Sequence, residues 1–325
     1  MARFSRIGNR WAAYHCQRFS TTLNKANVNR NQAIKSARRY QSTLSYVTKS
    51  LDPQRTPLEL PHVPELAEVE YYRTQWNPGM NEKIIRVYIH AGKRVFRGTD
   101  TSLISKLEGQ RLRSSEASGK QMLFRFSGDL WLGLHLGMTG KLSTADVDFL
   151  PAKHDHLVLF QKKRALVFND MRQFGRVLIH HGKTEPDWWS RIAPAVTSAA
   201  FTLEHMEKLL ARRSRLPVKA ALLVQGIFPG VGNWMADEIL WRAGIAPARP
   251  CGALKEPERK SLWREARFVS REALKKIGAD FGDPPASWLF HERWKRSGHC
   301  PKHKTVLQRD TIGGRTTAWC PKCQR

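Results

Sequence analysis

The sequence predicts an α+β chain of several domains, and three observations carry that prediction. Short apolar segments broken by Gly, Lys or polar turns run from about residue 64 to 182, an all-β pattern. Beyond that point apolar residues recur at helical spacing. Three of the five cysteines then crowd into the final 26 residues, around a Gly313-Gly314 turn. The expected order is a β domain over 64–182, either sandwich or barrel, a helical domain over 195–287, and a metal-clipped hairpin over 288–325.

Residues 1–63 stand apart from this plan. They hold 11 Lys/Arg against only Asp52 and Glu59, are rich in Ser and Asn, and lack the sustained periodicity of a packed element. Such a leader fits a mitochondrial-type transit peptide, and it also fits an upstream region read through from a wrongly assigned start codon. Neither origin asks it to fold. From residue 64 onward, "AEVEYYRTQW" permits a first helix. In "KIIRVYIHAG", Ile85, Val87 and Ile89 alternate with Arg86, Tyr88 and His90, the period of a half-buried strand. "KQMLFRFS", "DLWLGLHLGM", "HLVLFQKKRALVFND" and "GRVLIHH" continue the strand series. Helical spacing follows in "TLEHMEKLLARRS", "VKAALLVQGIF", "NWMADEILWRAG" and "PERKSLWREARFVSREALKKI", with Gly244 placed to end the third.

Charge narrows the partner. The 325 residues carry 55 Lys/Arg and 28 Asp/Glu, a formal charge of +27, which predicts a polyanion, nucleic acid ahead of a membrane surface. No apolar run approaches the roughly 18 residues of a spanning helix, so no membrane partner is expected. The cysteine spacing points to metal in a reducing compartment more than to a disulfide framework.

The tail reads "CPKHKTVLQRDTIGGRTTAWCPKC". Cys300 and His303 form one closely spaced pair, Cys320 and Cys323 the other, and a hairpin between them brings the two together. Four soft or borderline donors in two clipped pairs suit a tetrahedral Zn²⁺. The competing reading is a redox pair at Cys320 and Cys323 with His303 incidental. All four coordination places would be filled by protein, so the zinc would be structural. Arg315, just past the turn, could grip DNA or be an ordinary exposed turn residue.

Several stretches together resemble the bacterial formamidopyrimidine-DNA glycosylases of the formamidopyrimidine glycosylase/endonuclease VIII family. "PELAEVE", "HLGMTG", "KHDH", "DMRQFG", "VKAALLVQGIFPGVGN" and the terminal finger occur in that family's order, from Pro64 to Gln324. The resemblance implies a β-sandwich, a helix–two-turn–helix module and a zinc finger closing on damaged double-stranded DNA as a monomer. It implies a bifunctional enzyme that excises oxidised purines and then cleaves the strand by β/δ-elimination. Pro64 would be the nucleophile, Glu65 the carboxylate that transfers a proton at the sugar, and Lys120 the cation reaching the lesion-strand phosphate. Glu68 would help position the site. Met138, Arg172 and Phe174 would fill the void left by the extruded base, and Lys219 and Asn233 would contact phosphates. His154 and His156 read as structural.

The same resemblance exposes a conflict. An N-terminal secondary amine is nucleophilic near neutral pH, but Pro64 lies inside the chain, where its nitrogen is an amide. Either processing cuts between Val63 and Pro64, which would suit a mitochondrial enzyme, or Val63 marks a GTG start of a bacterial protein of the cytoplasm or nucleoid. The start-site reading also accounts for a GTG-encodable residue immediately before the proline. The chain departs from the family pattern in three further ways. Met171 and Gln173 replace a proline and an arginine, His303 replaces a fourth cysteine, and the segment before the finger is shorter than the family's lesion-capping loop. An oxidised-pyrimidine glycosylase and a non-catalytic binder of damaged DNA stand as the alternatives.

Overall fold

The computed structural model describes residues 63–325, so the expected leader, up to residue 62, lies outside the described residues. Eight strands form two four-stranded antiparallel sheets. In chain order they are β1 (Ile84–Ile89), β2 (Leu112–Ser118), β3 (Gln121–Phe126), β4 (Leu130–His135), β5 (Lys141–Asp146), β6 (Asp155–Gln161), β7 (Arg164–Asn169) and β8 (Arg176–His181). One sheet runs β1-β6-β7-β5, the other β2-β3-β4-β8. Two separate sheets decide for the sandwich over the barrel.

Alternation drives the packing. Phe124, Phe126, Leu132 and Leu134 from one sheet meet Ile84, Leu157, Leu159 and Phe168 from the other, with Trp76 between them. Burying each large apolar side chain contributes about 1.5–3 kcal/mol before entropy is subtracted. β6 is buried along its whole length. Its Val158 and Phe160 join Ala165 and Val167 in a cluster separate from the inter-sheet core, under Tyr88 and Phe149. Trp188 and Trp189 cover Leu123 and Trp131 of the second sheet.

Two strands escape a reading of the sequence. β2 ("LRSSEAS") and β5 ("KLSTAD") are polar, and both are edge strands. An edge faces water along one side, so it needs no continuous apolar signal and avoids one that would invite aggregation.

Among the described residues, the α-helices begin with α1 (Leu66–Thr74) and the short α2 (Thr101–Ser105) and α3 (Asp187–Ser190). The helical region adds α4 (Leu203–Ala211), α5 (Val218–Leu222), α6 (Asn233–Ala243) and α7 (Glu256–Asp280), the last packing against α1, α4 and α6. The expected helix over 218–228 stops at Leu222, and two tight turns take over. Gln225 stitches them, accepting from the Gly230 amide at 2.9 Å and donating to the Val231 carbonyl at 2.9 Å. Gly230 has φ +85°, a left-handed conformation that disfavours any side chain. Gly244 ends α6 in the same conformation, as its position predicts.

The tail forms β9 (Gln308–Ile312) and β10 (Arg315–Trp319), paired antiparallel with Arg315 opposite Ile312. Gly313 and Gly314 make the two-residue turn. Among the described residues, no helix is long and apolar enough to cross a membrane.

Candidate active site, nucleic-acid face and metal centre

Pro64 and Glu65 are buried where α1 meets the two turns before α6. The Leu66 amide donates to the Gly230 carbonyl at 3.0 Å, which fixes the start of α1 on those turns. Glu65 then reaches the first turn of α6. Its Oε2 accepts from the amides of Gly232 at 3.0 Å and Met235 at 3.1 Å, and its Oε1 accepts from Trp234 at 2.9 Å. These are amides that the helix cannot satisfy internally, and its dipole adds positive potential there. Gly232 is required for this seat, because a Cβ on it would lie 2.3 Å from the Glu65 carboxyl carbon.

Glu68 supports the arrangement, accepting from the Glu65 amide at 3.2 Å and from the Trp234 indole at 3.0 Å. Lys120 faces both carboxylates from the β2–β3 turn. Burial raises the Glu65 pKa, Lys120 counteracts that, and Glu68 adds to it. Burial likewise pushes the Lys120 pKa down, while Glu65 and then Glu68 push it up and Arg315 pushes it down. The result is a carboxyl drawn toward its protonated form beside a lysine drawn toward its neutral form. Each shift brings the two groups closer in proton affinity, which favours proton transfer at this site. The sequence predicts both residues, and the fold brings them together.

A second group lies on two loops that grip each other. At Gly137 a Cβ would come within 2.4 Å of the Phe174 backbone. Asp170 is fully buried and organises the contact, accepting from Thr139 Oγ1 at 2.6 Å, the Gly175 amide at 2.7 Å and the Arg172 amide at 3.2 Å. Buried His156 holds the Asp170 carbonyl at 2.8 Å, a structural role as expected. Met138 is half-buried, Arg172 is exposed, and Phe174 is 38% exposed with the Arg172 guanidinium 4.8 Å from its ring centre. Gln173 adopts φ 54° and accepts from the Arg94 amide at 3.2 Å, while Met171 is exposed.

His135 is a site residue that sequence reasoning missed, though it opens "HLGMTG". Burial, and then Lys120 and Arg97, push its pKa down to about 4, so it is neutral at physiological pH. Its Nδ1 accepts from the Gly137 amide at 3.0 Å, which leaves Nε2 as the donor.

Lys219 corrects an expectation. The resemblance puts it on a phosphate, but it is fully buried. Its ammonium is paired with Asp237 and donates to the Asn233 carbonyl at 2.8 Å. A cation so enclosed cannot meet a phosphate without stripping Asp237, so it braces the first turn of α6 instead. Asp237 also accepts from Arg293 at 2.6 Å and from the Ala318 amide at 3.2 Å, joining α6 to the finger. Two adjacent acids, Asp237 and Glu238, within the largely apolar "NWMADEILW" are the available signal. Asn233 is half-buried and donates to the Thr316 carbonyl at 2.9 Å. Arg315 is exposed beside the turn and, through its effect on Lys120, faces the carboxylate site.

The donor atoms of Cys300, His303, Cys320 and Cys323 all lie within 4.8 Å of one another. Cys300 Sγ stands 3.5 Å from Cys323 Sγ, and His303 Nδ1 is 2.9 Å from Cys323 Sγ. Three sulfurs and one imidazole nitrogen at these separations can surround one metal ion. Among the described residues, no second such cluster includes His154 or His156.

Family models describe the same chain. The formamidopyrimidine-DNA glycosylase N-terminal domain matches residues 63–177, and the formamidopyrimidine-DNA glycosylase H2TH domain matches residues 192–282. The formamidopyrimidine-DNA glycosylase of Laribacter hongkongensis is 33% identical over 273 residues, covering 81% of this chain and 100% of its own. The chain belongs to the formamidopyrimidine-DNA glycosylase family. The Thermus thermophilus enzyme is likewise 33% identical, over 274 residues, 81% of this chain and 98% of its own. Among solved structures, the Lactococcus lactis glycosylase in complex with DNA containing an oxidised pyrimidine superposes with a TM-score of 0.73 at 28% identity, covering 81% of this chain and 100% of that one. A complex of a wild-type Lactococcus lactis glycosylase with DNA containing N7-benzyl-Fapy-dG gives the same score and identity. Membership makes this chain a DNA-repair glycosylase that binds DNA.

Proposed function

We propose that this family member excises oxidised purines, formamidopyrimidines and 8-oxoguanine, from duplex DNA and then cleaves the strand at the resulting site. The Pro64 nitrogen, once freed from Val63, attacks the sugar C1′ and gives up its N–H proton, and the base leaves with the electrons of its glycosidic bond and takes up a proton. Glu65 donates a proton at the ring oxygen as the sugar opens to an iminium joined to Pro64. That cation withdraws electrons, so loss of a C2′ proton expels the 3′ phosphate, and a second elimination expels the 5′ phosphate. Lys120 and Arg315 hold the lesion-strand phosphate, and Met138, Arg172 and Phe174 occupy the space vacated by the base.

One observation supports this reading above the others: a buried Glu65 seated on three α6 amides, directly beside Pro64, with the charge of Lys120 acting on it. A carboxyl seated only to stabilise a helix would not need a half-buried lysine acting on its charge. The cluster of Cys300, His303, Cys320 and Cys323 is proposed to hold one structural Zn²⁺. It has no open position for a reacting group, and zinc ligation can supply ~10–16 kcal/mol of apparent folding free energy to a hairpin with little core. The active species is proposed to be a monomer.

Borohydride trapping on abasic duplex DNA tests the nucleophile. A chain starting at Pro64 should form the reduced covalent adduct, and the untrimmed chain carrying Val63 should not. Equal trapping by both would sink the Pro64 mechanism. Tight lesion binding with no trapping by either would instead favour a non-catalytic binder, the reading that the Val63–Pro64 amide itself suggests.

A further inference from the structure

One buried tryptophan touches the metal cluster without being a ligand. Trp241, on the last turn of α6, is 2% exposed, and its indole Nε1–H donates to Cys300 Sγ at 3.3 Å. Lys302 sits between the ligands Cys300 and His303 in sequence, and its ammonium lies 4.4 Å from the centre of the same indole ring. The short loop carrying the first ligand pair therefore holds Trp241 at two points, a sulfur at the N–H edge and a cation over the face. Cys300, Leu307, Ala318 and Cys320 complete an apolar cluster around it.

Physical chemistry gives this contact a direction. A ligand sulfur that accepts a hydrogen bond from a buried, fixed donor is held in its ligating position, so it parts from the metal less readily. A cation over the indole face draws electron density from the ring, so the N–H becomes a stronger donor. Leu or Phe at position 241 would fill the same core without offering a proton to the sulfur. The tryptophan also belongs to the helix whose first turn seats Glu65, so its grip on Cys300 fastens the finger to the element that carries the reactive carboxylate.

We propose that Trp241 is a positioning residue for the metal centre: its N–H, polarised by Lys302, holds the Cys300 sulfur at its place in the four-donor cluster and slows loss of the metal from the finger. This rests on the reading that Zn²⁺ occupies the four-residue cluster. It concerns a residue outside the ligand set, and its consequence is read from metal exchange and not from catalysis.

The experiment uses the full chain and its Trp241→Phe and Lys302→Met variants. Zinc content of freshly purified protein is measured first, then the rate and equilibrium of zinc transfer to a chromophoric chelator, then alkylation of the finger thiols by iodoacetamide, read by mass spectrometry. Outer hydrogen bonds to metal ligands typically carry about 10–100-fold in metal affinity, so Trp241→Phe should lose affinity by about tenfold or more. Its Cys300 should be alkylated faster relative to Cys320. Lys302→Met keeps the N–H and the core, and should shift both readouts in the same direction by a smaller factor. Wild-type chain without zinc would remove the metal reading and this proposal together. Full zinc loading in all three proteins, with equal transfer and equal Cys300 alkylation, would overturn the role of Trp241 while leaving the metal site standing. If Trp241→Phe fails to fold, Lys302→Met decides, and unchanged exchange in that variant refutes the polarised donor.

Discussion

Replacing Glu65 by Gln is the sharpest perturbation, because the side chain keeps its shape while losing its charge and half its acceptors. Three amides point at the carboxylate, two on Oε2 and one on Oε1. A glutamine can turn its carbonyl oxygen toward Gly232 and Met235, but its NH₂ then faces the Trp234 amide, donor against donor. Leaving one buried N–H unsatisfied costs about 1–3 kcal/mol. Removing the charge has the opposite sign, since burial disfavours the ionised form in the native protein. The net destabilisation should therefore be about 1–2 kcal/mol, a fall in Tm of only a few degrees for a domain of this size. Loss of proton transfer is a larger effect: a general acid or base typically contributes 10²–10⁴-fold to the rate. Single-turnover excision of 8-oxoguanine by the chain starting at Pro64 should fall by that factor. Borohydride trapping on a preformed abasic site should persist, because there the base has already gone. Near-normal excision by a folded Glu65→Gln protein would refute the assignment. A fall in Tm beyond about ten degrees would mean the lost activity reports an unseated α6 and not missing chemistry.

Other perturbations separate charge, packing and recognition. Glu238, buried on α6, accepts from the Phe290 amide at 3.1 Å and has Arg242 3.9 Å away; burial pushes its pKa up to about 8. The folded protein thus holds a proton that the unfolded chain releases above the usual carboxylate range. This stability is complete at low pH and is lost as pH rises through about 8. Glu238→Gln should flatten the decline in urea midpoint between about pH 5 and about pH 8, and a variant curve parallel to wild type would count against it. Lys219→Ala removes one of the two cations on buried Asp237 and leaves Arg293 in place, so it should cost about 1–3 kcal/mol, less than a fully orphaned buried charge, with no change in the salt slope of DNA binding. A stable variant with a slope reduced by about one contact would restore the phosphate role. Arg172→Ala should alter discrimination among bases opposite the lesion, since a hydrogen-bonded base contact carries ~1–3 kcal/mol. Equal losses on every opposing base, across a salt series, would make Arg172 a phosphate clamp.

How far the sequence announces the fold depends on the range of the forces involved. Strands β1, β3, β4, β6, β7 and β8 and helices α4, α6 and α7 are legible because each carries its own apolar pattern, a local property. β2 and β5 carry none, since an edge strand is stabilised by a neighbour's backbone and water takes its other side. The four metal donors are legible because paired spacing is local too. Glu65 and Lys120 are found only through resemblance; what makes them chemically unusual is burial against α6, produced by residues about 170 positions away in the case of Met235. Lys219 shows the same rule with the opposite outcome. A lysine next to a glycine-rich turn in a basic chain resembles a phosphate contact, and only the fold reveals that Asp237 already holds its charge. The α6 helix is where these hidden dependencies converge. Its first turn seats Glu65, Asp237 binds Lys219 and the finger backbone, and Trp241 reaches Cys300. A break at any one of these should therefore be felt at the others, so a purely structural lesion in the finger should lower the rate at the carboxylate before it abolishes DNA binding.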